Sequence, residues 1–357
     1  MAKLDLSVEW EKRTLRGMFR SVLGGFLILF LTGCVTGLPN ESALQRFEFE
    51  EPQMGVPFRM VVYATNSAHA ERAVDAAFAR IAELNAIMSD YETDSELSKL
   101  SRSSEEGSPE VRVSDDLWQV LEPAQELARE TGGAFDVTIG PCAALWRKAR
   151  REQEFPDAHR LENARQKVGY NNLVLNERRQ AARLTRFGMR LDLGAIAKGY
   201  AADEALEMLR SFGIERALVA ASGDLALADP PPGEKGWRVE IVGYDAPNGP
   251  PSAIVQLANC GVATSGDLFQ RVEINGVRYS HIVNPFTCVG MTNHALATVI
   301  AKDCMTADSL ATVMTVAERK TAFQIARRRD AAARVVRMED GKPVVETNGR
   351  FGTIVQE

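Results

Sequence analysis

One stretch constrains this chain more than any other: Arg190-Leu191-Asp192-Leu193-Gly194-Ala195-Ile196-Ala197-Lys198-Gly199-Tyr200-Ala201-Ala202-Asp203. Leu191 and Leu193 alternate with polar neighbours, the pattern of a short half-buried strand. Gly194 permits a turn or a close backbone approach. Small residues then open an amphipathic helix that runs through about residue 209. A helix starting after a glycine turn offers unpaired N–H groups and the positive end of its dipole, and Lys198 adds a charge. The stretch therefore predicts a strand, a turn and a helix start suited to a phosphate, although a purely structural strand-to-helix turn has the same pattern.

The elements around it mix helices with hairpins. Apolar periodicity predicts helices over 67–88, 115–131, 305–316 and 320–328. Asp94 is placed to cap a short helix after it. Strands are expected at 59–64, 172–175, 182–185, 216–221, 237–242, 253–257, 261–263, 294–300 and 333–338. Residues 134–141 read as a further β-type run with Asp136 inside it. Thr264-Ser265-Gly266-Asp267 breaks the pattern, and 147–168 is so charged that it reads as exposed. Asn275-Gly276 between 271–274 and 277–280 is the strongest hairpin signal. With no internal repeat and no clear linker in 357 residues, the expected fold is one α+β domain of antiparallel sheets with flanking helices.

The N-terminus reads as an address. Lys12, Arg13, Arg16 and Arg20 precede an apolar run from Val22 to Leu31 that is too short to span a bilayer and ends in Leu31-Thr32-Gly33-Cys34. This tetrad looks like a bacterial lipobox, which implies cleavage before Cys34 and lipidation of its thiol. Residues 1–33 are then a lipoprotein signal peptide, 34–50 the lipidated cysteine and a polar tether, and 51–357 the folded domain. Met18-Phe19-Arg20 would itself make a good start. Residues 1–33 hold five of the chain's 42 Lys/Arg and three of its 48 Asp/Glu, so the remainder has 37 against 45 and a net charge of −8. That acidity argues against a nucleic-acid partner. Cys142, Cys260, Cys288 and Cys304 show no metal spacing, and their pairing is open.

Eight segments in order, Met54–Phe58, Met88–Ser95, Gly132–Pro141, Asp192–Gly199, Ser222–Asp224, Ala263–Asp267, Ser280–Pro285 and Thr306–Thr312, resemble the signature segments of the ApbE family of flavin transferases, FAD:protein FMN transferases. The resemblance covers nearly the whole chain after the signal. It implies an FAD cleft between lobes and Mg²⁺-dependent cleavage of the FAD pyrophosphate. The FMN half would pass to a Thr or Ser hydroxyl of a redox subunit carrying a Ser/Thr-Gly-Ala type motif, and AMP would leave. With the lipobox, it implies a lipid-anchored enzyme on the periplasmic face of the cytoplasmic membrane. Two other readings stay open: a hydrolase splitting FAD to FMN and AMP, and a non-catalytic FAD-binding lipoprotein.

The resemblance distributes roles that the residues themselves support in part. Asp308 and Thr312 are i and i+4 on one predicted helix and share a face, which suits a partial Mg²⁺ shell; the resemblance implies metal ligands here together with a backbone carbonyl near Ala195. Asp308 alone would equally suit a solvated helix position. His281 follows the hairpin and precedes a proline turn; it is the acid–base candidate, with a pKa expected near working pH, or else a flavin or phosphate contact. Asp136, costly in an apolar run without a partner, is assigned to the FAD ribose or adenine end. Lys198 is assigned to the phosphates. Met54 and Tyr91 are assigned to the flavin or adenine pocket, and Thr264 and Asp267 to the segment bordering it. The chain departs from the family where Ser222 stands for the first glycine of Gly-Gly-Asp, and where Asn284-Pro285-Phe286-Thr287-Cys288 stands for Asp-Pro-Arg-Thr-Gly. Phe286 removes a positive charge and Cys288 replaces a flexible glycine, which bears on acceptor recognition and loop geometry more than on metal binding.

Overall fold

The structure, a computed structural model, describes residues 43–243, 251–268 and 270–356. The signal segment, Cys34 and the first part of the tether lie outside the described residues. In the first half of the chain the elements are β1 (Gln45–Gln53), β2 (Val56–Ala64), α1 (Ser67–Met88), α2 (Glu96–Ser103), β3 (Val111–Arg112), α3 (Asp115–Glu130), α4 (Gly140–Glu152), α5 (Ala158–Arg165), β4 (Leu173–Asn176), β5 (Ala181–Leu184) and α6 (Ala197–Ser211). In the second half they are β6 (Ala217–Ala221), β7 (Asp224–Leu227), β8 (Trp237–Ile241), β9 (Ala253–Leu257), β10 (Cys260–Gly266), β11 (Arg271–Ile274), β12 (Val277–Ser280), β13 (Ala295–Ala301), α7 (Cys304–Val316), α8 (Arg319–Arg328), β14 (Ala332–Glu339), β15 (Lys342–Thr347) and α9 (Gly349–Gln356).

Eight strands form one antiparallel sheet in the order β1-β2-β6-β7-β10-β13-β14-β15. The two-residue period of a strand sorts their side chains onto two faces. Phe58, Met60 and Val62 of β2, Val219 and Ala221 of β6, and Ala295, Ala297 and Val299 of β13 join the main core under α1, α6 and α7. Val61, Leu218, Ala220 and Ile300, one residue out of phase, meet Trp237, Val239 and Val255 of the β8–β9 ribbon and Phe351 of α9. Burial on both faces explains why β6 reads as an unbroken apolar run and β13 as one broken only by Thr298. The alanines on the helix-side face let α6 and α7 lie close to the sheet.

Those two helices also touch each other closely. A Cβ on Gly199 would fall 2.4 Å from the Cys304 carbonyl oxygen, so only glycine permits this approach. Asp203 of α6 accepts the Cys304 and Met305 N–H groups, each at 2.9 Å, while the N-cap Asp303 accepts that of Thr306 at 2.7 Å. The free donors of the first turn of α7 are thereby satisfied from two sides.

A second body lies across from this one. Helix α4 packs on the β11–β12 hairpin through Trp146, whose Nε1 donates to the Ser280 carbonyl at 2.9 Å and whose ring meets Tyr279 edge-on at 5.3 Å. A disulfide joins Cys142 of α4 to Cys288, with Cα atoms 4.8 Å apart; Cys260 and Cys304 are unpaired.

The α+β antiparallel architecture is the one expected, as are α1, the Asn275-Gly276 hairpin and the β4–β5 hairpin. Several local expectations are corrected. The tether ends before residue 50, because β1 starts at Gln45 and pairs along its length with β2. Ser95, not Asp94, caps α2, accepting from the Ser98 N–H at 3.0 Å. Residues 134–138 form bends and turns rather than a strand, Ile139 makes only an isolated bridge to Arg190, and α4 begins at Gly140. Asp136 draws the Thr138 N–H and hydroxyl to its own carboxylate, a local closure that competes with a ladder. Residues 191–193 are likewise no strand: the Leu191 N–H goes to the Ser101 hydroxyl and that of Asp192 to the Val137 carbonyl. Residues 264–266 continue β10 rather than break it, and β15 and α9 follow the strand expected to close the fold.

Candidate functional site

The edges of the two bodies enclose a cleft of about 730 Å³, within the range of about 300–1,000 Å³ typical of small-molecule sites. The main body contributes the β1–β2 turn, the end of α1, the start of α6, the β6–β7 turn, the end of β10 and one face of α7. The second body contributes α4 and the segment after β12. Met54, Tyr91, Asp136, Ala195, Lys198, Thr264, His281, Asp308 and Thr312 all line this one cleft. These nine predicted site residues are thus brought together; Asp267, expected at the border, is instead buried against Arg278 and His294, and Cys34 lies outside the described residues.

The floor on the main-body side is a three-charge cluster. Lys198 Nζ lies 2.7 Å from Asp224 Oδ2 and 3.1 Å from Asp308 Oδ2. Asp308 also accepts the Gly199 N–H at 3.2 Å. Burial works against the lysine's charge, but the two carboxylates outweigh it and hold Lys198 protonated. Burial and then the Asp224 charge push the Asp308 carboxyl up to about 7. Two buried carboxylates thus share one ammonium, and above about pH 7, where Asp308 ionises, the cluster carries an excess negative charge. In the ligand-free structure Lys198 and the helix start are already engaged within the chain. The lysine is neutralised by two aspartates, and the first turn of α6 already donates to this chain's own Asp308. Asp224 enters the site as a residue missed in the sequence, where only the turn before it stood out.

The donor set suits a hard divalent cation. It consists of the Asp224 and Asp308 carboxylates, the Thr312 hydroxyl on the same face of α7 and the backbone near Ala195, with no thiolate or imidazole among these groups. The Thr312 hydroxyl lies 3.5 Å from that of Ser265. Among the described residues no group of three or more His, Cys, Asp or Glu could hold a metal. Mg²⁺ commonly takes only one or two carboxylates from a protein.

His281 sits on the second wall. Its backbone N–H and its ring Nδ1 each lie 3.1 Å from the Gln270 carbonyl oxygen. With Nδ1 as the donor, Nε2 carries the lone pair. Burial, with Arg150 and Lys198 adding to it, lowers its pKa to about 4. The expected pKa near working pH is therefore corrected: the ring is neutral there. In the ligand-free protein the His281 ring should titrate near pH 4, followed by its ring-proton NMR shifts. Since an unfolded imidazole takes up its proton at about 6.5, His281 costs the fold stability as pH falls from there toward 4. A midpoint near 6.5 would contradict this burial.

Asp136 finds its partners within the chain. Its carboxylate accepts from Thr138 at 2.8 and 2.7 Å and from the Tyr170 N–H at 2.8 Å. It therefore fixes the 134–139 loop, and the expected ribose or adenine contact is not needed to explain it. Thr264 meets the Thr298 hydroxyl at 3.1 Å. Tyr91 is 75% exposed, with the Arg147 guanidinium 4.6 Å from its ring centre. Arg147 also binds Asp90 and, at 3.4 Å, Asp192. The charged segment from 147 is thus not simply exposed. Ala143, Arg147 and Arg150 fall at i, i+4 and i+7 of α4 and face the cleft, a spacing legible in the sequence once the helix is known.

The departures at Ser222 and Cys288 keep the backbone a glycine would supply. Each has φ of +58°, at a cost on the order of 1–2 kcal/mol for a residue with a Cβ. Both positions therefore take the left-handed conformation that a glycine would adopt most readily.

The sequence profile of the ApbE family matches residues 54–336. The chain belongs to the ApbE family. The FAD:protein FMN transferase of Haemophilus influenzae is 30% identical over 284 residues, 77% of this chain and 81% of that protein. That of Vibrio cholerae is 29% identical over 319 residues, covering 88% and 92%. Among solved structures, the flavin transferase ApbE from Vibrio cholerae matches with a TM-score of 0.75 at 27% identity, covering 87% of this chain and 99% of that one. The ApbE protein of Thermotoga maritima matches with a TM-score of 0.76 at 28% identity, covering 88% and 100%.

Proposed function

We infer that this chain transfers the FMN moiety of FAD to a target protein. The carrying observation is the match, across most of its length, to relatives named for that activity, together with one cleft that gathers the segments of the resemblance. Asp308, Asp224, Thr312 and the backbone near Ala195 would hold Mg²⁺, which when bound supplies Lewis-acid stabilisation of pyrophosphate charge. Met54, Tyr91 and Thr264 would contact the dinucleotide. His281, neutral and with Nε2 unprotonated, would accept the proton of a Thr or Ser hydroxyl of the acceptor, a redox subunit with a Ser/Thr-Gly-Ala type motif. The hydroxyl oxygen then attacks the FMN phosphorus, the pyrophosphate bond breaks, and AMP leaves. The Leu31–Cys34 lipobox supports a lipid-anchored form at the periplasmic face of the cytoplasmic membrane.

The test incubates the protein with FAD, Mg²⁺ and a protein bearing that motif. Flavin fluorescence that survives denaturing electrophoresis is expected, with AMP released in equal amount. AMP without labelled protein would replace this reading with the hydrolase, and bound FAD with neither product would replace it with a binding protein.

A further inference from the structure

Among the described residues, three cations line the cleft: Arg147, Arg150 and Lys198. Two are committed. Lys198 is held by Asp224 and Asp308, and Arg147 by Asp90 and Asp192 with Tyr91 against its face. Arg150 makes no hydrogen bond or ion pair with any described residue. Burial pulls its guanidinium down from the ordinary arginine value, the mark of a charge that has lost water without gaining a counterion. Its helix is firmly held: Cys142 and Trp146, two turns and one turn before Arg150 on α4, tie it to Cys288 and to the Ser280 carbonyl. The unpaired cation is therefore positioned on a rigid wall and not on a mobile side of the site.

We propose that Arg150 is the anion-binding residue of this cleft, holding phosphate oxygens of the substrate beside His281. The side chain is close enough to His281 for its charge to help keep that ring neutral, so an anion bound to Arg150 lies next to the ring. A guanidinium offers paired N–H donors that match two oxygens of one phosphate. The opposite wall carries the excess negative charge of Asp224 and Asp308 and would repel a bare phosphate. The cleft is thus polarised, with its uncommitted positive charge at Arg150. The proposal rests on the flavin-transfer reading only for the identity of the phosphate compound.

The test measures binding to the full chain by calorimetry in the presence of a chelator, with FAD, riboflavin and inorganic pyrophosphate as probes. Arg150→Gln should weaken FAD and pyrophosphate by about tenfold to a hundredfold and leave riboflavin unchanged. Arg150→Lys, which keeps the charge and most of the stem, should recover part of the loss and covers the case in which glutamine disturbs α4. Equal weakening of riboflavin would assign Arg150 to cleft shape and overturn the proposal, as would unchanged pyrophosphate binding. If the wild type binds pyrophosphate through Arg150 but no flavin, Arg150 stands and the flavin reading falls. If it binds FAD with no effect of Arg150→Gln, the reverse holds. If it binds neither FAD nor pyrophosphate, both fall.

Discussion

Replacing Asp308 by alanine is expected to lower flavin transfer by about a hundredfold to a thousandfold or more, the range seen when one preorganised electrostatic group is removed from a site of charge development. The fold should survive. Asp308 is buried beside Asp224, and burial with that neighbour's charge pushes its carboxyl up to about 7. An acid whose folded pKa is raised loses its stabilising proton as pH rises. The ionised pair is thus a strain on the metal-free protein near and above neutrality. Alanine relieves that repulsion and leaves Lys198 paired with Asp224 at 2.7 Å. The melting temperature of the variant in chelator should therefore equal or exceed that of the wild type. Added Mg²⁺ should raise the wild-type melting temperature by mass action and leave the variant unmoved. Calorimetric melting with and without Mg²⁺, beside the transfer assay, separates the two roles. A variant that still gains stability from Mg²⁺ would remove Asp308 from the metal shell.

The Cys142→Ser/Cys288→Ser double variant is expected to lose roughly 3–5 kcal/mol of stability, the scale for opening a long covalent loop. The bond spans 146 residues of sequence, and both cysteines are fully buried. It closes the second body on itself by linking α4 to the segment that follows His281. A drop in melting temperature on the order of 10 °C should follow. Hydrogen exchange should rise first in 281–290, where the backbone bonds of Cys288 to Asn284 and of Met291 to Ile282 hold the loop once the disulfide is gone. A transition within about a degree of the wild type would show that the hydrogen bonds and the Trp146–Tyr279 contact suffice without the bond.

Much of this was legible in the sequence where the signal is local. The period of α1, the Asn275-Gly276 turn, and the i, i+4 spacing of Asp308 and Thr312 each depend on residues a few positions apart. The order of weak segments gave the family, and with it nine cleft residues. Illegible were pairings between distant segments. Asp136 read as a carboxylate in search of a ligand because its partners include Tyr170, 34 residues away, as well as Thr138. Lys198 read as a free charge because Asp224 and Asp308 lie 26 and 110 positions on. The apolar pattern of 134–141 suggested a strand because nothing in it announces the local closure around Asp136.

The sequence by itself determined the strongly periodic elements, the family and most of the reactive groups, since helix period, turn chemistry and ordered motifs are properties of neighbouring residues. Tertiary structure decided their charge states and duties. It put two carboxylates on one lysine, lowered His281 by burial, paired Cys142 with Cys288, and left Arg150, among the described residues of the cleft, without a counterion. Charge and proton affinity depend on distance and water exclusion, and those exist only once the sheet, α6, α7 and α4 have closed around the cleft.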